Sequence, residues 1–116
     1  MNVTICTIGE LLVEFLAKEE NQGFSRPGEF WGPYPSGAPA IFADQVAKLG
    51  LGSVLFSCVG NDAFGEMNIA RLESDGVNVN GIAILQKATT GSAFVSYRSQ
   101  GSAILFLICR IAPVVC

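Results

Sequence analysis

The sequence contains no histidine, and its four cysteines include no Cys-x-x-Cys pair. Protein zinc sites are built mainly from closely spaced cysteine and histidine side chains. We therefore expect no zinc or other metal site in this chain. Four scattered cysteines are typical of buried or terminal thiols in a reducing cytoplasm.

Positive charge is also scarce. Seven Lys and Arg residues stand against ten Asp and Glu residues, which gives a net charge of −3, and no basic run occurs. A protein that binds nucleic acid neutralises phosphates with clustered Lys and Arg. The charge pattern therefore argues against a nucleic-acid partner.

Long uninterrupted apolar runs are missing, although half of all residues are hydrophobic and only 15% are charged. A membrane-spanning helix needs about 20 apolar residues. Glu10 and Glu14 interrupt the first apolar stretch, and Arg110 interrupts the apolar residues 103–116. We therefore expect no signal peptide, no membrane partner and a cytoplasmic protein.

Strand and helix patterns alternate along the sequence. Residues 3–8 are β-branched and apolar, and residues 11–16 continue as a second extended piece that contains Glu14. Residues 18–35 are rich in Gly, Pro and aromatic side chains, which predicts a loop with short strand segments.

The first helix is predicted from Pro39 to the glycine at position 50. Proline suits a first helical turn, and Phe42, Val46 and Leu49 recur at helical spacing, which predicts that they face inward. Gly50 is typical of a helix C-terminus.

A second helix over residues 63–74 follows, with Asn61 or Asp62 as its N-cap. Further strands are predicted at residues 53–59, 82–85 and 92–97. Strands that alternate with helices in this way are typical of right-handed crossover units in a mainly parallel sheet. The predicted fold class is α/β.

Several positions could bind a ligand. Glu10 and Glu14 follow the first strand, and the carboxyl ends of parallel strands are where open α/β sheets bind ligands. Gly37 and Ala38 precede the first helix, whose N-terminus favours partial negative charge. A solvated carboxylate pair and an ordinary turn before a helix remain equally simple explanations.

Two other segments have weaker patterns. Tyr97 and Arg98 end a strand, where Arg could hold an anionic group, but a surface hairpin end explains them as well. The glycine-rich turn at residues 59–65 contains no lysine and no Gly-x-x-x-x-Gly-Lys motif. A helix cap with a tight turn is the simpler interpretation of this segment.

Five segments, in this order, resemble the PfkB/ribokinase family of carbohydrate kinases, and especially its fructokinase and 2-keto-3-deoxygluconate kinase branches. They are residues 5–14, residues 37–50, the Val-Gly-x-Asp-x-x-Gly turn at residues 59–65, the helix end at residues 72–77, and residues 90–95.

The resemblance implies the N-terminal part of a ribokinase-like, Rossmann-type sandwich, with an incomplete sheet and a small β-lid formed by residues near 18–34 and 94–98. It also implies a sugar or sugar-acid substrate, which this chain alone is expected to bind weakly or not at all. The substrate-binding candidates are Glu14, Gly37, Ala38, Tyr97 and Arg98. The family usually has a glycine pair where this chain has Ser36 and Gly37, and a sugar-binding asparagine where it has Ile41.

The family's Gly-Ala-Gly-Asp motif, which supplies the aspartate base, does not occur in the sequence. ATP and magnesium are cofactors of the full-length family, and none is expected for this chain, nor is a catalytic residue. The resemblance therefore implies a truncated ATP-dependent carbohydrate kinase that is inactive alone, from a family often homodimeric through its lid strands. A fragment of a nucleoside kinase of the same fold and a non-enzymatic α/β binding module remain alternatives.

The end of the sequence departs from the family pattern. We assign residues 1–102 to the N-terminal part of the kinase domain and residues 103–116 to an apolar tail. Codons permitted for residues 103–115, read after the first two bases are dropped, encode a peptide that resembles the family's lid strand and following loop. This suggests a frameshift near Ser102 in a longer kinase gene.

Overall fold

The computed structural model describes residues 2–108, and only the backbone of Leu107. Seven strands and two helices follow one another in that part of the chain. They are β1 (Thr4–Ile8), β2 (Leu12–Ala17), β3 (Phe30–Ser36), α1 (Ala38–Lys48), β4 (Gly52–Gly60), α2 (Ala63–Ser74), β5 (Ile82–Leu85), β6 (Gly91–Tyr97) and β7 (Ala103–Ile108).

A three-stranded parallel sheet forms the base of the fold, in the order β1-β4-β5. Leu55 and Val59 of β4 share one core cluster with Ala43 of α1 and Leu72 of α2. Because alternate residues of a strand share a face, both helices cover the same side of the sheet. Ser53, also on that side, donates a 2.7 Å hydrogen bond to the Ala43 carbonyl. The predicted α/β class with parallel strands is confirmed.

A second sheet, which we call the lid sheet, has the strand order β3-β2-β6-β7. Strands β2 and β6 run parallel, whereas β2 with β3 and β6 with β7 run antiparallel. The expected loop at residues 18–35 contains all but the last residue of β3, with Pro33 and Pro35 inside the strand. Proline lacks the N–H that a central strand needs, and β3 tolerates it because it lies at the sheet edge.

Helix α1 contacts the sheet through small side chains. Ala40, Ala43 and Val46 are buried, whereas Phe42 is 54% exposed and Leu49 is 72% exposed. The prediction that Phe42 and Leu49 face inward is therefore wrong. Alanines on the inner side of α1 let the helix approach the sheet closely, so its larger apolar side chains lie outside the contact.

The cysteines differ from one another. Cys6 is a free, exposed thiol, whereas Cys58 is buried, with 2% of its surface exposed. Cys109 and Cys116 lie outside the described residues. Neither helix within residues 2–108 is long and apolar enough to span a membrane.

Candidate functional site

The start of α1 packs directly on the carboxyl end of β1. A Cβ atom at Gly9 would collide with the Pro39 ring. Gly37, the N-cap of α1, has a φ of +104°, and a Cβ there would lie 2.7 Å from the Glu10 carbonyl oxygen. Only glycine fits both the dihedral angle and the space at position 37. This close approach brings the N-terminus of α1 to the edge of the sheet where open α/β folds bind ligands.

The N-terminus of α1 has no side-chain cap. The amide of Ile41 donates to the Gly37 carbonyl at 2.9 Å, and Pro39 has no amide hydrogen. The N–H groups of Ala38 and Ala40 belong to the first helical turn, which α-helices leave without an intrahelical acceptor. Ala38 is exposed. This helix end can therefore donate hydrogen bonds to an oxygen atom with partial negative charge.

Glu14 is half-buried in β2, opposite Tyr34 of β3. The β2/β3 ladder is irregular here: Glu14 pairs with Tyr34 and Leu16 pairs with Trp31, so β3 carries one extra residue. Gly32 lies within this bulge, and a Cβ there would be 2.7 Å from the Glu14 carbonyl oxygen. Bulges change the direction of nearby side chains and are common beside binding sites.

Glu14 and the α1 N-terminus are linked through the lid sheet. Leu12 of β2 pairs with Ser36, the last residue of β3, and Gly37 follows immediately. Leu12 and Glu14 lie on the same face of β2 because they are two residues apart. Gly37 and Ala38 therefore follow directly on β3, and Gly37 is three residues beyond Tyr34, the register partner of Glu14.

Tyr97 and Arg98 lie towards the opposite end. Glu14 pairs with Ala93 of β6, and Tyr97 is four residues further along that strand, or about 13 Å at the usual rise. Tyr97 shares the Glu14 face and is 53% exposed. Arg98 is exposed in the β6–β7 turn, where its amide donates to the Ser102 carbonyl at 2.8 Å. The structure thus separates this pair from Gly37 and Ala38.

The glycine-rich turn at residues 59–65 is a helix cap joined to the lid sheet. Asp62 accepts hydrogen bonds from the Gly65 amide (2.9 Å), the Thr90 amide (2.8 Å) and the Thr90 hydroxyl (2.7 Å). The Thr90 hydroxyl in turn accepts one from the Gly60 amide at 3.1 Å. Burial acts to raise the pKa of Asp62, but the hydrogen bonds from Thr90 and Gly65 outweigh it and hold the pKa below its ordinary value. We call this arrangement the Asp62–Thr90 latch.

The sequence did not predict two of the contacts that hold the lid sheet. The latch joins residues 28 positions apart, and no local pattern marks Thr90 as the partner. Asn68 of α2 is completely buried, and its amide group donates to the Leu12 carbonyl at 3.3 Å and to the Phe64 carbonyl at 3.0 Å. In the sequence, only the position of the polar Asn68 on the inner face of an amphipathic helix indicated that it makes a buried hydrogen bond.

An aromatic cluster covers the lid face opposite to Glu14. Phe15 stacks on Phe94 at 4.9 Å between ring centroids and meets Phe64 of α2 edge-on at 5.8 Å. Phe24, Phe30 and Phe106 extend the cluster. The two faces of the lid sheet therefore differ: one carries the phenylalanine cluster, and the other carries Glu14 and Tyr97.

The charged side chains between the two helices form ion pairs with one another. Lys48 contacts Asp44 at 3.0 Å and Asp75 at 3.5 Å, and Arg71 contacts Asp75 at 2.9 Å. The hydrogen bond from Arg71 is the largest of the effects that hold the pKa of Asp75 below its ordinary value. Within residues 2–108, no three or more Asp, Glu, His or Cys side chains are grouped so that they could hold a metal ion.

The geometry agrees with a comparison against known families. The sequence profile of the pfkB family carbohydrate kinases matches residues 3–109. The chain belongs to the pfkB family of carbohydrate kinases. A provisionally assigned sugar kinase of Pyrococcus horikoshii is 39% identical over 101 residues, which are 87% of this chain and 32% of that protein. Fructokinase-2 of Oryza sativa subsp. japonica is 34% identical over 97 residues, which are 84% of this chain and 29% of that protein.

Solved pfkB-type structures share the fold. A provisionally assigned Ribokinase II of E. coli in its apo form superposes with a TM-score of 0.92 and 49% identity over 97% of this chain and 36% of that chain. The complex of that protein with ATP and Mg²⁺ superposes with a TM-score of 0.89 and 50% sequence identity. The chain thus has a ribokinase-like fold and spans about a third of the length of the relatives it matches.

Proposed function

We propose that this chain is the sugar-holding third of an ATP-dependent carbohydrate kinase and that it transfers no phosphate alone. Membership of the pfkB family and coverage of about a third of the relatives support this proposal. The observation that carries it is the position of Gly37: its missing side chain brings the uncapped α1 N-terminus against the Glu10 carbonyl just past β1, and Gly37 lies three residues beyond Tyr34, the register partner of Glu14. That arrangement offers both an acceptor and donors to a polyol.

Each candidate residue has a role in this proposal. The Glu14 carboxylate accepts hydrogen bonds from two sugar hydroxyls, and the backbone N–H groups at Gly37 and Ala38 donate to sugar oxygens. Tyr97 and Arg98 contact the outer end of a longer substrate, such as a sugar acid, whose carboxylate suits Arg98.

The phosphate-transferring groups are assigned outside this chain. The E. coli relative was crystallised with ATP and Mg²⁺, but the described residues of this chain do not offer a matching group of metal ligands. Phosphoryl transfer depends on positioned charges around the moving phosphate, so we derive no catalytic step for these residues. A cytoplasmic location, where ATP and free sugars coexist, belongs to the same proposal.

Self-association through the lid sheet is a further part of the proposal. Strands β3 and β7 are its edge strands in the described part of the chain, and edge strands can pair with another chain. Phe106 of the aromatic cluster is 54% exposed on β7. Both features favour a dimer that forms through the lid, and sedimentation velocity of the purified chain would measure it.

The origin of residues 103–116 stays a separate proposal. Strand β7 pairs with β6 from Ala103 onward, and residues 109–116 lie outside the described residues. We propose that this tail was encoded by a shifted reading frame. The nucleotide sequence of the gene tests this: an intact frame with other codons and no homologous segment downstream would refute it.

Sugar binding can be measured on the chain itself. Ligand-observed NMR with fructose, 2-keto-3-deoxygluconate and adenosine should detect binding of one of the two sugars to the chain. Glu14→Gln should weaken that binding about tenfold or more, because hydrogen bonds to a charged acceptor contribute about 1.5–3 kcal/mol each. Glu20→Gln, an exposed change in the lid loop, is the matched control and should leave affinity unchanged. Binding of adenosine alone, binding of none of the three ligands, or equal affinity for wild type and Glu14→Gln would refute the assignment.

A further inference from the structure

Two aromatic side chains of β3 lie on the same face of the lid sheet as Glu14. Tyr34 is the register partner of Glu14, and Trp31 is the register partner of Leu16, two residues further along β2. Register partners share a face of a sheet, and so do strand residues that are two apart. Tyr34 is 47% exposed and Trp31 is 48% exposed. This face therefore presents two half-exposed rings beside a carboxylate.

The bulge in β3 explains why both rings lie on this face. Trp31 and Tyr34 are three residues apart, and in a regular strand residues three apart lie on opposite faces. Because β3 carries one extra residue at the bulge, the alternation shifts by one position between the two aromatic residues. The bulge therefore places the Tyr34 ring on the Glu14 side of the sheet together with Trp31.

The two rings differ in their contacts. The ammonium group of Lys18 lies 5.9 Å from the centre of the Trp31 ring and 2.8 Å from the Glu29 carboxylate. Within residues 2–108, the Tyr34 ring stacks on no other ring and no cation, and its hydroxyl makes no hydrogen bond. Contacts among the described residues therefore occupy the Trp31 ring and leave the Tyr34 ring available to a ligand.

An aromatic ring beside a carboxylate suits a closed sugar ring. Across β6, the register partner of Glu14 is the small Ala93, so Tyr34 is the only ring among the two side chains that flank Glu14 in the sheet. The hydroxyl groups at the edge of a sugar ring donate hydrogen bonds to a carboxylate, whereas the C–H groups on its face are apolar and pack on an aromatic ring. An open-chain polyol has no such flat apolar face.

We infer that Tyr34 is a specificity-determining residue of the proposed sugar site, whose ring packs on the C–H face of a closed sugar ring while the sugar hydroxyls bind Glu14. Tyr34 thereby gives the site a preference for the ring form of a sugar over an open-chain polyol. This inference rests on the proposed function and adds to it a contact that involves no hydrogen bond and no charge.

Ligand-observed NMR with fructose, 2-keto-3-deoxygluconate and the borohydride-reduced form of each tests the inference, because reduction of the ketone prevents ring closure. The wild-type chain should bind at least one of the two sugars more tightly than its reduced form. Tyr34→Leu should weaken binding of that sugar about fivefold, as expected for the loss of one aromatic contact, and should diminish the preference over the reduced form. Tyr34→Phe keeps the ring and should restore most of the affinity. Trp31→Leu is the matched control, because Trp31 has the same exposure on the same face, and it should leave the affinity unchanged.

Fluorine NMR gives a second readout that needs no change at Tyr34. The chain contains only two tyrosines, Tyr34 and Tyr97, so labelling with fluorotyrosine gives two signals, and Tyr97→Phe assigns them. Addition of the sugar that binds should shift the Tyr34 signal. Because Tyr34 is half-exposed on a strand that lies at the sheet edge in the described part of the chain, Tyr34→Leu should keep the wild-type circular dichroism and unfolding midpoint.

The outcomes separate this inference from the proposed function. No binding of either sugar, or binding that Glu14→Gln does not weaken, would refute the proposed function and this inference with it. Binding that Glu14→Gln weakens and Tyr34→Leu does not would overturn this inference alone. So would equal losses from Tyr34→Leu and Trp31→Leu, equal affinity for a sugar and its reduced form, or a Tyr34 fluorine signal that the bound sugar leaves unshifted.

Discussion

Replacement of Asp62 by alanine should destabilise the chain more than any other change to a single polar side chain. The carboxylate caps α2 and also joins it to Thr90, the residue that precedes β6 of the lid sheet. Asp62→Ala removes three accepted hydrogen bonds at once and leaves the Thr90 amide, in a residue only 4% exposed, without its acceptor.

The magnitude follows from these contacts. Loss of an N-cap side chain costs about 1 kcal/mol, and a buried donor left without its acceptor costs about 1–3 kcal/mol. We therefore expect Asp62→Ala to lower the free energy of unfolding by about 3 kcal/mol. Thr90→Val should cost about 2 kcal/mol, because it removes the hydroxyl and keeps the amide. The double variant should cost less than the sum, since both changes disrupt one network.

Urea unfolding followed by circular dichroism measures these differences, with Thr90→Ser as the control that keeps the hydroxyl and should cost under about 1 kcal/mol. The pH dependence adds a second check. The pKa of Asp62 is lower in the folded chain than its ordinary 3.8, so the unfolded chain takes up the proton first as the pH falls. The stabilisation is complete above about pH 4 and is lost as the pH falls through the folded-state pKa. A cost below about 0.5 kcal/mol for Asp62→Ala, or strict additivity with Thr90→Val, would refute the latch.

Three further changes test the fold around the site. Gly37→Ala should lower the free energy of unfolding by about 2 kcal/mol or more, because a Cβ would lie 2.7 Å from the Glu10 carbonyl oxygen. Gly50 also has a positive φ but has open space around it, so Gly50→Ala should cost less. Equal unfolding midpoints of the two variants would contradict this. Asn68→Ala should cost about 2 kcal/mol by leaving the Leu12 carbonyl without its donor, and an unchanged urea midpoint would refute it. Asp75→Asn should lower thermal stability mainly at low salt, because the Arg71 and Lys48 side chains that pair with Asp75 are exposed. A difference of the same size at about 1 M salt would contradict this.

Local patterns predicted the regular elements of the parallel sheet well. Pro39 and Gly50 bracket α1, and Asp62, one of the two predicted caps, is the N-cap of α2. These signals act within a few residues, so a single segment of sequence contains all the information. Strand β3 has no such signal, because two prolines and its bulge disrupt the alternation that identifies a strand, and pairing with β2 alone defines it.

The candidate site was predictable only in part. Small residues before α1 indicated a close approach of backbone, and the structure shows why Gly37 must be glycine. The predicted inner face of α1 was wrong. The prediction relied on large hydrophobic side chains such as Phe42, whereas the helix contacts the sheet through small side chains that allow close packing. The link between Asp62 and Thr90 depends on the folded arrangement of two sheets, and no pattern within either segment contains it.

The central claim is that these residues hold the sugar while groups outside the chain move the phosphate. Its most direct test is a coupled assay for ADP, with direct detection of sugar phosphate, on the purified 116-residue chain supplied with ATP, Mg²⁺ and the sugar that it binds. We expect no turnover from the chain alone at any concentration. Sustained ATP-dependent formation of sugar phosphate that scales with the concentration of this chain, and that a contaminating kinase does not explain, would contradict the account.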